Sequence, residues 1–138
     1  MYKVTLHRTP DISWVLDGKN CMKLYAMQDI DIQPHEIKLI TFNEMRYELE
    51  NCIGLPYIKK CDNVLGYTLY HTDKTFKWEK QGVATLPIHN PSNKTIHILQ
   101  GTYLATVRFM SISFYNLWKK HDRSDDGLAS VQLKFVLK

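Results

Sequence analysis

The sequence predicts an all-β fold with one short helix. Three observations carry this: strand-type alternation recurs along most of the chain, turn signals separate the runs, and only one stretch, "SFYNLWKKHD" at 113–122, reads as a helix. Short strands at such spacing build a sandwich, a jelly roll or a barrel.

Taken in order, Tyr2, Val4 and Leu6 alternate with polar residues, and Ile30 and Ile32 repeat the pattern. The turn Gln33-Pro34-His35-Glu36 leads to Ile37 and Leu39. Val83 to Ile88 is nearly all apolar, which predicts a strand covered on both faces. "NPSNK", 90–94, marks a turn before Ile96 and Ile98. Gly101 then breaks the chain ahead of Tyr103, Ala105, Val107 and Phe109. Beyond the helix and a polar "DRSDDG" hinge, "VQLKFVLK" places Val131, Leu133, Phe135 and Leu137 on one face. A closing strand so apolar needs a sheet, in its own subunit or in a neighbour.

At 138 residues the chain is read as one domain, 1–138, with an ordinary 44% of apolar and 23% of charged residues. No run approaches the roughly 18 apolar residues of a membrane span. The opening "MYKVTLHRTP" is too polar for a signal peptide. Cys21, Cys52 and Cys61 are odd in number and lack C-x-x-C spacing, so free thiols in a reducing compartment are expected. The formal net charge of +4 permits an anionic partner without requiring one.

Generic motifs supply no active site. The six histidines stand apart from one another and from the cysteines, so no metal site is expected. The six glycines form no phosphate cradle. "KTFKWEK" interleaves Phe76 and Trp78 with lysines. It reads either as a stacking platform for single-stranded nucleic acid or as an amphipathic strand with its aromatics inward. With Trp118 of "WKKHDR", these aromatics are the candidate interaction residues.

The order of elements resembles the dUTPase family. That family's first motif, A-G-Y-D-L-Y-S-A, is similar to "NCMKLYAM", and Asp29, Ile32, Pro34 and Glu36 follow at the family's intervals. Asn90 is followed eleven residues later by "GTYLATVRF", where the family has G-D-R-I-A-Q-L-I. Gly82, eight residues before Asn90, falls on the glycine of the family's Y-R-G. The resemblance spans residues 20–112 and implies a dUTPase-like, β-clip or jelly-roll-like domain.

What it implies about chemistry is loss. Lys23 stands at the aspartate of the first motif, where the family holds Mg²⁺ with hard oxygen ligands. Lys60 replaces the phosphate-binding serine of the second motif. Lys77 falls on the aspartate that activates water and Lys80 on the tyrosine under the deoxyribose; a four-residue shift of loop 63–73 would instead bring Asp73 to that aspartate. Thr106 replaces the glutamine of the fourth motif, and the glycine-rich closing arm has no counterpart. The resemblance therefore implies a pseudoenzyme without cofactor or metal, akin to the degenerate dUTPase-related proteins of adenoviruses and herpesviruses. Its expected role is a viral adaptor acting on a host signalling or defence protein, in cytoplasm or nucleus. A homo-oligomer is expected, a trimer before a dimer, with residues 129–138 a strand exchanged between subunits or folded onto its own sheet. Three alternatives remain open: a nucleotide-phosphate or nucleic-acid binder using Lys23, Lys60, Lys77 and Lys80, a surviving or diverged nucleotide hydrolase, and a structural jelly-roll subunit of capsid or tail type.

Overall fold

A computed structural model describes residues 1–7, 14–16, 20–59, 64–70, 76–120 and 133–138, with backbone alone at 14–16 and 43–44. Lys60, Cys61, Asp73, Val131 and the "DRSDDG" hinge lie outside the described residues.

Among the described residues, ten strands and one helix appear in chain order: β1 Lys3–His7, β2 Trp14–Leu16, β3 Cys21–Tyr25, β4 Ile30–Ile32, β5 Ile37–Tyr57, β6 Thr68–Leu69, β7 Trp78–His89, β8 Ile96–Ile98, β9 Tyr103–Ser111, α1 Ile112–Lys120 and β10 Lys134–Leu137. The main sheet runs β10-β1-β5-β9-β3-β2, with β7 also along β5 and β6 along β7. A second sheet pairs β4 with β8. The fold is all-β with one short helix, as the alternation predicts.

Strand β5 organises the molecule. At 21 residues it is long enough for its first stretch to pair β7, its middle to lie between β1 and β7, and its last stretch to reach β9. Two register breaks, between Thr41 and Arg46 and between Glu48 and Ile53, interrupt its pairing with β7. At the first, the inward set switches from Ile40 and Phe42 to Met45, Tyr47 and Leu49. Asn51, with φ of 57°, sits in the second.

The core gathers Val4, Leu6, Met22, Leu24, Leu86, Ile88, Val107 and Phe109. Trp78 lies at its centre, stacked on Tyr47 at 4.8 Å and 4°. Gly82 pairs with Tyr47, and a Cβ there would stand 2.9 Å from the Tyr47 hydroxyl; this glycine makes room for a ring. Asn90 is fully buried and saturated: its Nδ2 donates to the carbonyls of Ile32 (2.9 Å) and Lys94 (2.7 Å), and its Oδ1 accepts from Ser92 N–H (2.9 Å) and Oγ (2.7 Å). It ties the end of β7 to the β4–β8 sheet.

Two expectations need correction. Among the described residues, β7 is fully buried on one face, at Ala84, Leu86 and Ile88, whereas on the other Thr85, Pro87 and His89 are half-buried and Val83 is exposed. The final strand pairs parallel with β1 of its own chain, burying Leu133 and half-burying Phe135 against Phe109 (5.6 Å), but Leu137 is exposed. As a parallel edge strand, β10 leaves its last side chain over the rim of the core rather than within it.

Candidate functional site

The segment carrying Lys23 is a strand because apolar Met22 and Leu24 point into the core, which turns Cys21, Lys23 and Tyr25 to the other face. Lys23 pairs with Thr106 of β9, and Thr106 pairs with Tyr57 of β5. Directly opposed residues share a face, so the positions matched to the first and fourth family motifs stand side by side, with Tyr57 completing the row. The adjacent row is Cys21, Arg108 and Leu55.

Helix α1 packs on this same face. Phe114 and Tyr115 cluster with Ile53, Leu55 and Met110, and the Arg108 guanidinium lies 5.7 Å from the Phe114 ring. Trp118 is half-buried against that cluster. Lys77 reaches the face from the start of β7, with Nζ 3.0 Å from Glu79 Oε1 and 5.6 Å from the Tyr115 ring centre. Lys119 approaches the same ring at 4.6 Å.

Lys23 and Lys77 thus share a sheet face but are not neighbours. Three strand spacings, roughly 14 Å, separate β3 from β7. Lys80 lies in the second register break with φ of 57° and is exposed. A lysine in that left-handed region is uncommon and marks a tight local bend. Lys60 is outside the described residues.

Of the two readings of "KTFKWEK", the structure carries the amphipathic strand with its aromatics inward. Trp78 is 1% exposed and its Nε1–H donates to the Thr85 carbonyl at 3.2 Å, so its ring offers no stacking surface. Phe76 is half-buried and packs against the core. The inward pull of a large apolar ring at a strand's mouth outweighs the lysines on either side, and the stacking-platform reading fails.

The hydroxyl groups of the site are held by neighbours. Tyr103 and Thr106 hydroxyls lie 2.6 Å apart, and Lys59 N–H donates to the Tyr103 hydroxyl at 3.4 Å. Tyr67 donates to the Tyr103 carbonyl at 2.6 Å, and burial raises its pKa. Burial, followed by the Cys21 thiol, pushes Tyr57 up to about 12. Mg²⁺ selects hard anionic oxygens. The two rows offer an ammonium, a guanidinium, a thiol and protonated hydroxyls, so these residues do not fit that ion. Among the described residues no three His, Cys, Asp or Glu side chains group closely enough to hold a metal.

Sequence reasoning missed Cys21, Tyr57 and Arg108. Cys21 was within reach, since it alternates with Lys23, and Arg108 likewise alternates with Thr106. Tyr57 was not, because β5 crosses Gly54 and Pro56 to reach the row.

No family model matches the chain, and neither does any curated protein. Solved structures do. The native EIAV dUTPase matches over 78% of this chain and 88% of its own, with a TM-score of 0.61 at 16% identity. The fold is the dUTPase fold. A dUTPase from phage phi11 of S. aureus, whose structure is described with a structural Mg(II) ion, matches 79% of this chain and 90% of its own, at TM-score 0.62 and 12% identity. The Staphylococcus bacteriophage 80alpha dUTPase with dUpNHpp matches 79% and 82%, at TM-score 0.62 and 11% identity. On this fold, the positions counted to the first and fourth motifs, Lys23 and Thr106, stand side by side, and those counted to the third do not join them. Among the described residues no helix is long and apolar enough to cross a membrane.

Proposed function

We propose that this chain is a non-catalytic interaction protein built on the dUTPase fold, a viral adaptor for a host signalling or defence protein. The observation that carries the reading is Lys77: the position matched to the water-activating aspartate holds an ammonium clamped to Glu79 at 3.0 Å. A protonated amine cannot take a proton from water. Lys23 adds a second cation where the fold's nucleotide chemistry needs a carboxylate.

Regulation by this fold has a precedent in the phage 80alpha dUTPase, described as controlling transfer of virulence genes by a proto-oncogenic G protein-like mechanism. For a docking surface the adaptor has the outer face of β5, β7 and β6. Ile37, Leu39, Tyr70 and Val83 are exposed there, around Pro87 and His89. The assembled form in this reading is a homo-oligomer, a trimer first and a dimer second, working in cytoplasm or nucleus of the host cell.

The test has two arms. Purified protein with dUTP and Mg²⁺ should release no pyrophosphate above background, and turnover would end the pseudoenzyme reading. Cross-linked partners recovered from host cells should be lost with Leu39→Glu while the melting temperature holds. Retention of every partner by that variant would remove this face from the proposal.

A further inference from the structure

Where β5 breaks from β7, β5 advances five positions, from Thr41 to Arg46, while β7 advances two, from Thr85 to Val83, and the strands part. A groove of 990 Å³ opens there. Arg46 and Val83, opposed where the pairing resumes, line it together with Glu48 and Lys138, and His7 joins from β1 as the cross-strand partner of Arg46. The backbone of Lys138 is fixed by a 2.9 Å bond from its N–H to the Leu6 carbonyl. The groove opens on the face of β5 that carries Arg46 and Glu48, beside the register break and far along the sheet from Lys23.

Its charges are unequally matched. Glu48 Oε2 lies 3.4 Å from His7 Nε2, and that nitrogen is shielded from water without a hydrogen-bond partner of its own. The Glu48 carboxylate is therefore drawn to the imidazole. Arg46 is exposed, and among the described residues neither it nor Lys138 has an acidic partner. A guanidinium presents a planar fork of donors that matches a carboxylate. Glu48, two residues along the same face, penalises every further negative charge brought in beside Arg46. Val83 and the bare backbone of Gly82 supply a neutral wall on the β7 side.

We infer that this groove binds a small monocarboxylate with a neutral, partly apolar body, seated on Arg46. The inference is independent of whether the chain hydrolyses dUTP, since Lys23 and Lys77 take no part.

The experiment is a titration of the full-length, ¹⁵N-labelled chain with benzoate and, separately, with inorganic phosphate at matched ionic strength. Amide shifts of Arg46, Val83 and Lys138 are followed. Benzoate should give saturable shifts centred on these three, weaker by about fivefold in Arg46→Gln. Glu48→Gln should bind phosphate better than the wild type does, because the repelling carboxylate is gone. Both side chains are exposed, so both variants should fold, and Arg46→Lys provides a further check: it keeps the charge, loses the fork and should also weaken benzoate. Absence of saturable shifts, unchanged benzoate affinity in Arg46→Gln, or phosphate binding the wild type as tightly as benzoate would each overturn the inference.

Discussion

The first and middle stretches of β5 belong to one strand yet present opposite outer faces. Over residues 37–41 the outward side chains are Ile37, Leu39 and Thr41, with Leu39 63% exposed. Over residues 46–50 they are Arg46, Glu48 and Glu50, with Glu50 paired to Lys3 at 3.3 Å and Glu48 lying 3.4 Å from the His7 ring. Their inner faces are alike: Ile40 and Phe42 in one, Met45, Tyr47 and Leu49 in the other. An antiparallel sheet washed by solvent on one side normally alternates apolar with polar. The middle stretch obeys that rule and the first does not, so the inner face reports the core while the outer face reports what the surface meets.

Three substitutions probe this contrast. The largest effect should come from the shared inner face. Trp78→Ala removes a ring stacked on Tyr47 and 6.2 Å from Phe109, and should cost about 3–5 kcal/mol in urea denaturation. If the two stretches share one core, the loss appears as a single earlier transition; two separate transitions would break the comparison at its root.

Gly82→Ala tests the same joint more gently. The added methyl would meet the Tyr47 hydroxyl at 2.9 Å, and overpacking should cost about 1–3 kcal/mol. An unchanged midpoint would mean that Tyr47 moves freely and that the glycine has no packing role.

The smallest effect belongs to the outer charges. Glu50→Gln breaks a solvent-exposed pair with Lys3 and should change stability by less than about 1 kcal/mol, fading further in salt. A loss several times larger would show that the outer face of the middle stretch holds the fold together, and the contrast with the bare stretch would need another explanation.

Much of the fold was legible from periodicity. Val4 and Leu6, Ile30 and Ile32, Ile96 and Ile98, and Ala105, Val107 and Phe109 are all buried in strands, because each run keeps a single phase from end to end. The helix begins at Ile112 and ends at Lys120, close to the expected 113–122. β5 was illegible beyond its start for the opposite reason. Its inward set changes phase at the first break, and a one-residue slip exchanges the faces of everything after it. Ile37 and Leu39 carry the apolar pattern of a core strand and nevertheless face outward. The site was half legible: counting put Lys23 and Thr106 where they stand side by side, whereas "KTFKWEK" left Trp78 open between a surface platform and an inward ring, because flanking lysines mask a core tryptophan. Arg46 and His7 carry no motif and meet only through the pairing of β1 with β5.

The parallel pairing of β1 with β10 also decides how the domain bears mechanical load. Lys3 faces Lys134 and Leu6 faces Leu137, so both strands run the same way along their common border. Tension applied through the residues ahead of Lys3 and behind Leu137 pulls the two strands in opposite directions along their length. The slanted bonds between them are then strained together, in shear, instead of parting one by one like a zipper. A partner or neighbouring segment tugging at both ends would find the border between the first and last strands the stiffest seam to open.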